Sequence, residues 1–158
     1  MSYLLYYNFG KLGEKHMHVR SFQLSDYAEV TQLMENSLSE DCFHDTMEAF
    51  ARQLSWDSSL VMVARAETLI VGVVIGTIDN NDGYYYRIAV DPFHRRKGVG
   101  KTLIQALQER FVERKVNRIL VPVDAHNEPV LPVFESLGFD PIRTFTKAFK
   151  KLSIVAGT

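Results

Sequence analysis

Apolar and polar positions follow two different rhythms along this chain. Val30, Leu33, Met34 and Leu38 fall three or four residues apart, which places them on one face of a helix. Asp26 and Glu29 stand just ahead of them at the spacing of a capping box, so the helix is predicted to start there. Phe43, Met47, Phe50 and Leu54 repeat the helical spacing and predict a second amphipathic helix. The pattern then changes. Apolar runs at 60–64 and 69–78, separated by the turn-sized segment 65–68, predict a β-hairpin. Asn80-Asn81-Asp82-Gly83 is a turn sequence, and the aromatic and β-branched run 84–90 predicts the next strand. A short strand at 18–22 opens the series.

The second half of the chain starts at Asp91-Pro92, where a residue with no backbone N–H ends the strand. Leu103, Ile104, Leu107 and Phe111 predict a helix, and residues 118–123 predict a buried strand. Val130, Val133, Phe134 and Leu137 put a final helix in 127–137, closed by Gly138. Pro132 has no N–H for the Glu128 carbonyl, so that helix is expected to begin late. Phe139 and an extended segment follow. Tyr3, Tyr6, Tyr7 and Phe9 show no period, and residues 1–16 are read as an N-terminal arm or extension. No repeat, low-complexity tract or flexible linker divides residues 17–158, which are read as a single domain.

Composition narrows the function classes. A chain of 158 residues with 46% apolar and 23% charged positions has the make-up of a soluble globular domain with a sizeable core. The formal charge of -1 disfavours nucleic-acid binding through bulk positive charge, so any anion site must be local. The one cysteine, Cys42, has no partner for an intrachain disulfide, which fits a reducing cytoplasm. No apolar run approaches the roughly 18 residues of a membrane span, and the first residues lack the regions of a signal peptide. A cytoplasmic protein with no membrane and no nucleic-acid partner is expected.

The local anion site is found in His94-Arg95-Arg96-Lys97-Gly98-Val99-Gly100, at a predicted strand-to-helix turn. Glycines there let the backbone approach a ligand, and the first-turn amides of a helix favour an anion. Arg95, Arg96, Lys97 and Lys101 add positive charge. Only one residue separates Gly98 from Gly100, which excludes a Walker loop, and Leu103 stands where a dinucleotide fingerprint needs its third glycine.

The segment does match R-x-x-G-x-G, from Arg95 to Gly100, preceded by RIAVDP and followed by a helix. This resembles the acetyl-coenzyme A signature of the GNAT N-acetyltransferase superfamily. The opening MHVRSFQLSDYAEV and the closing Leu137-Gly138-Phe139 are similar to the family's first and last elements, so the resemblance spans about residues 17 to 150. It implies an α/β fold, with a mixed, mainly antiparallel twisted sheet flanked by helices, and acetyl-CoA as the acetyl donor. It also implies that the backbone of Ile88, Ala89 and Val90 lines the pantetheine and acetyl group. The amides of Arg95, Arg96, Lys97, Gly98, Val99, Gly100 and Lys101 would hold the pyrophosphate, with Asn127 near the pantetheine arm. Phe134 falls where the family commonly has a tyrosine that protonates the leaving thiolate, and a phenyl ring has no proton to give.

An attacking amine must lose a proton, and many family members use a carboxylate on the strand that here reads YYYRIAV and has none. Tyr84 and Tyr86 share a face by strand alternation and are candidates to donate a proton or hold a water chain, against the simpler reading of half-buried sheet aromatics. His126, with Asp124, follows the next strand, and an imidazole is a suitable base near neutral pH. The simpler reading there is a solvated loop histidine. His94 is read as shaping the turn, Cys42 as a small helix residue, and the five histidines have no metal-ligand spacing. Phe43, Phe50 and Trp56 fit an acceptor pocket or the core equally well. The expected function is N-acetyl transfer to an amine of a small molecule or a protein, with a homodimer allowed. The alternative is an acetyl-CoA sensor or interaction module with little transferase activity.

Overall fold

The computed structural model describes residues 5–6, 17–140 and 144–148. Its strands are β1 (Leu5–Tyr6), β2 (Met17–Ser21), β3 (Val61–Ala66), β4 (Leu69–Asp79), β5 (Asp82–Val90), β6 (Arg118–Pro122) and β7 (Thr144–Ala148). Its helices are α1 (Tyr27–Ser37), α2 (Glu40–Asp57), α3 (Val99–Glu113) and α4 (Leu131–Ser136). The strands form one sheet in sequence order, antiparallel throughout except for the parallel pair β5 and β6. This is the mixed, mainly antiparallel sheet expected. Part of the predicted arm, Leu5–Tyr6, pairs along β2, while Tyr3, Tyr7 and Phe9 lie outside the described residues.

Helices cover both faces of the sheet, and this explains the continuous apolar run of β4. On one face Leu103, Leu107 and Phe111 of α3 pack with Tyr85, Phe134 and Phe139. On the other, Val30, Leu33 and Met34 of α1 and Phe50 of α2 pack on Val63, Val73 and Ile75. A strand buried on both sides has no polar face to alternate with. The β4–β5 turn holds Asn80 and Asn81 at φ 50° and 61°, the pair of positive angles that a tight primed hairpin turn requires.

The corner before α1 differs from the predicted capping box. Asp26 Oδ2 and Oδ1 accept from Arg20 Nη1 and Nη2 at 2.6 and 2.9 Å, and Oδ2 also accepts from the Gln23 amide at 2.8 Å. The Arg20 bonds hold the Asp26 carboxyl below its ordinary value against the opposing effect of burial. Glu29 turns to the sheet instead and accepts from the Ile70 amide at 3.0 Å. Leu38, expected on the helical face, leaves α1 with extended backbone.

Close approach sets the height of α3 over the sheet. A Cβ on Gly83 would lie 2.8 Å from Phe111 Cδ1, and one on Gly76 would lie 2.7 Å from Leu107 Cδ2. Gly83→Ala is therefore expected to destabilise by about 1–3 kcal/mol through overpacking. A urea midpoint lowered at unchanged m-value is the measurement that checks it.

Two irregularities shape the site. The β4–β5 ladder pairs Ile75 with Arg87 but Gly76 with Tyr85, which leaves Tyr86 as an extra, bulged residue. Beyond it, β5 and β6 separate: their ladder has only three pairs, from Asp82 with Arg118 to Tyr84 with Leu120.

Candidate functional site

A cleft of about 730 Å³ opens where β5 and β6 part. Ile88, Ala89 and Val90 of β5 form its floor, and Ser37, Leu38, Ser39 and Cys42 wall it from the α1–α2 junction. Ala125, His126, Pro129, Val130 and Val133 close the opposite side. Past Tyr84, β5 has no ladder partner on the β6 side, so its backbone there can pair with an extended ligand.

One end of the cleft is the basic turn. Gly98 caps α3 in the left-handed region at φ 82°, where a side chain is disfavoured. Its carbonyl accepts from Thr102 N at 3.0 Å and from Thr102 Oγ1 at 2.8 Å, which fixes the turn to the helix. The first amides of α3 have no carbonyl within the helix to bond, and they lie at the positive end of its dipole. A Cβ added to Gly100 would meet nothing closer than Val90 Cγ2 at 3.9 Å. That glycine keeps space free beside the cleft wall rather than within the core.

Side chains brace the turn from outside. Arg95 donates from Nε to the Val90 carbonyl and from Nη2 to the Ser37 carbonyl, both at 3.2 Å, and so ties the turn to β5 and to the end of α1. Asp91 accepts from the Phe93 amide at 2.8 Å and lies 3.1 Å from His94 Nδ1. Desolvation would raise the Asp91 carboxyl, but the contacts with His94 and the Phe93 amide outweigh it and leave it below the ordinary value. Arg96, Lys97 and Lys101 are exposed around the same point.

The other end is organised by a residue that strand alternation misplaces. Alternation puts Arg87 on the same face as Tyr85, but the bulge at Tyr86 turns both Tyr86 and Arg87 toward α2. Arg87 is 4% exposed. Its Nε donates to Thr46 Oγ1 of α2 at 3.1 Å, and its Nη1 donates to Asn127 Oδ1 at 2.6 Å and lies 3.8 Å from Asp124 Oδ1. Asn127 Nδ2 in turn donates to the Pro122 carbonyl at 2.8 Å. Asp124 Oδ1 accepts the amides of His126 and Asn127, both at 2.9 Å. This turn presents His126 to the cleft, with its Nε2 3.5 Å from Asp45 Oδ2 of α2.

A family model described as the Acetyltransferase (GNAT) family matches residues 27–139, a span that includes the cleft, the basic turn and α4. The chain belongs to the GNAT acetyltransferase family. Solved structures agree on the fold. A GNAT family acetyltransferase from Brucella melitensis, in complex with acetyl-CoA, aligns over 85% of this chain and 89% of its own at a TM-score of 0.71 and 17% identity. Ard1 from Thermoplasma volcanium aligns over 85% and 99% at 0.70 and 19% identity. The ribosomal-protein-S18-alanine N-acetyltransferase from Escherichia coli aligns over 78% and 77% at 0.60 and 21% identity.

The GNAT resemblance assigned roles that the structure distributes unevenly. Ile88, Ala89, Val90, Arg95, Arg96, Gly98, Val99, Gly100 and Lys101 all line the cleft, whereas Lys97 stands outside its lining. Asn127 is buried, with its amide engaged by Arg87 and Pro122. Phe134 is in the core, 5.1 Å from the Tyr85 ring and 5.3 Å from Phe139, and does not line the cleft. Tyr84 and Tyr86 are half-buried and also off its wall, and the Tyr86 hydroxyl donates to the Asp45 carbonyl at 3.3 Å. Tyr85 lies in the core: burial pushes its phenol well up, and its hydroxyl donates to the Ile104 carbonyl.

Of the aromatics weighed for an acceptor pocket, Phe50 is core, Trp56 is 70% exposed and Phe43 is half-buried, and none lines the cleft. Cys42, read as a plain helix residue, does line it. Sequence reasoning missed Arg87, Asp45 and Thr46. A charged residue inside an otherwise apolar strand was the one available signal. Among the described residues no group of three or more His, Cys, Asp or Glu is placed to hold a metal, and no helix is long and apolar enough to cross a membrane.

Proposed function

We propose that this chain moves the acetyl group of acetyl-CoA to a primary amine, on a small molecule or a protein, by direct attack. The observation that carries this reading is the cleft itself: a glycine-capped helix start at one end, an unpaired strand edge along its floor, and a half-buried histidine at the other. The amides of residues 95–101 hold the pyrophosphate, and Arg96 and Lys101 balance its charge. The free edge of β5 at Ile88, Ala89 and Val90 pairs with the pantetheine arm as a strand would. The thioester is thereby brought toward Cys42 and His126, where the acceptor enters. Lone-pair attack needs a deprotonated amine, and His126 is the base on the cleft wall.

The second reading, an acetyl-CoA sensor with little turnover, is favoured by one observation: Phe134 is in the core and, among the described residues, no tyrosine lines the cleft. Two measurements separate the readings. Saturating acetyl-CoA is expected to raise the melting temperature, by about 2.7 kcal/mol of added stability at a hundredfold excess over Kd. Thiol release with a panel of small amines and N-terminal peptides is expected to exceed the hydrolysis rate for at least one acceptor. A thermal shift without thiol release supports the sensor, and no thermal shift overturns both readings.

A further inference from the structure

We propose that Asp45 is the positioning residue that fixes the tautomer of His126, leaving Nδ1 as the atom that takes the acceptor's proton. The inference rests on the acetyl-transfer reading above and assigns the proton path within it.

The geometry pairs two elements distant in sequence. His126 Nε2 faces Asp45 Oδ2 at 3.5 Å, and the histidine side chain is 28% exposed on the cleft wall. A carboxylate can only accept, and a neutral imidazole carries a single N–H. Asp45 therefore draws that hydrogen to Nε2, and the lone pair is left on Nδ1. The opposite tautomer would set a lone pair against a carboxylate.

The distance is held by neighbours rather than by the pair alone. Thr46 and Asn127 adjoin Asp45 and His126 in sequence, and both are bonded to the one buried guanidinium of Arg87. Tyr86 donates to the Asp45 carbonyl, and Asp124 accepts the His126 amide. α2 and the loop after β6 are thus pinned together on either side of the Asp45–His126 contact.

In the step itself, the ammonium of the acceptor passes one proton to Nδ1, directly or through one water. The freed nitrogen attacks the thioester carbon, so that the C–N bond forms and the C–S bond breaks. The second proton lost by nitrogen ends on the departing sulfur through solvent, and the imidazolium returns its proton to water. Asp45 of α2 faces the ring, while Asp124 of the loop after β6 accepts the His126 backbone amide and lies 3.8 Å from Arg87 of β5.

The test compares wild type, Asp45→Asn, Asp45→Glu, His126→Gln and the Asn/Gln double variant, using kcat and KM across pH and ¹⁵N spectra of the His126 ring. His126→Gln is expected to lower kcat by about 10²- to 10⁴-fold. Asp45→Asn is expected to lower kcat by roughly tenfold or more at unchanged KM for acetyl-CoA, because the ring is no longer held in one tautomer. Its ¹⁵N spectrum should lose the Nε2–H preference, Asp45→Glu should restore it, and the double variant should be no slower than His126→Gln. An equal kcat or an unchanged tautomer in Asp45→Asn overturns the positioning role. Wild-type turnover that survives His126→Gln overturns the inference while leaving acetyl transfer intact. Acetyl-CoA binding with no turnover in the wild type overturns the parent reading and the base role together.

Discussion

Gly100→Val is expected to abolish useful acetyl-CoA binding while leaving the fold as stable as before. In most proteins a glycine-to-valine change that removes function also damages the structure, so the separation is informative. Here a Cβ would have only Val90 Cγ2 at 3.9 Å near it, and the residue sits in ordinary helical conformation in the first turn of α3. Valine is, if anything, a slightly better helix residue than glycine. Its methyl groups would instead occupy space beside the first-turn amides, where the proposed function brings a pyrophosphate within hydrogen-bond distance. Loss of two hydrogen bonds to a charged group, about 3–6 kcal/mol, corresponds to roughly 10²- to 10⁴-fold in Kd. Titration calorimetry with acetyl-CoA and a urea melt on the same sample give the two numbers. Unchanged affinity would remove the turn from the binding site.

Gly98 is the contrasting position. Its φ of 82° means that any substituent there is strained, by about 1–2 kcal/mol for an L-residue in the left-handed region. Gly98→Val should therefore lower both stability and affinity, and by itself cannot separate a structural loss from a binding loss.

These two glycines also show where the sequence was readable. Their spacing, the proline that ends β5 and the apolar stripe of α3 are local signals. Local signals decide local backbone, so the strand, the turn and the helix around Gly98 and Gly100 could be read in advance. The late start of α4 was readable for the same reason: Pro132 acts on its own helix, which begins at Leu131 after a short turn of 3₁₀ helix. What could not be read depends on partners outside the element itself. Asp26 was expected to cap α1, but its buried carboxylate accepts from Arg20 and the Gln23 amide instead.

The bulge at Tyr86 is the more consequential case. Nothing in YYYRIAV reveals that Gly76 of β4 will pair with Tyr85 and Ile75 with Arg87. One skipped residue reverses the side-chain parity for the rest of β5. Tyr85, Ile88 and Val90 pack toward α3, while Tyr86 and Ala89 pack toward α1 and α2. Read with strict alternation, Arg87 would enter the aromatic core beside Tyr85, where a guanidinium has no counterpart. The pairing error, and not any feature of the arginine, kept the Arg87 network with Thr46 and Asn127 hidden.

Arg87 therefore has the largest structural consequence in the site. Arg87→Ala should leave Asn127 Oδ1 without its donor and Thr46 Oγ1 with only the weak Cys42 Sγ contact, and open a cavity between β5 and α2. A loss of about 2–5 kcal/mol is expected, the sum of unsatisfied buried acceptors and lost packing. Arg87→Lys separates charge from geometry. An ammonium keeps the charge but lacks the rigid fork that reaches Thr46 and Asn127 at once, so stability should recover in part. Activity should not recover with it, because the loop carrying His126 would no longer be registered against Asp45, and a 1 Å misplacement of a reacting group can cost about 10²-fold. The basic turn proposed to hold the pyrophosphate is braced by Arg95 and not by Arg87, so acetyl-CoA affinity should hold in the lysine variant while kcat falls. Kinetics and calorimetry on folded Arg87→Lys decide the matter: a matching loss of cofactor affinity would make Arg87 a general support of the cleft, and a loss confined to kcat would tie it to the placement of His126 and Asp45.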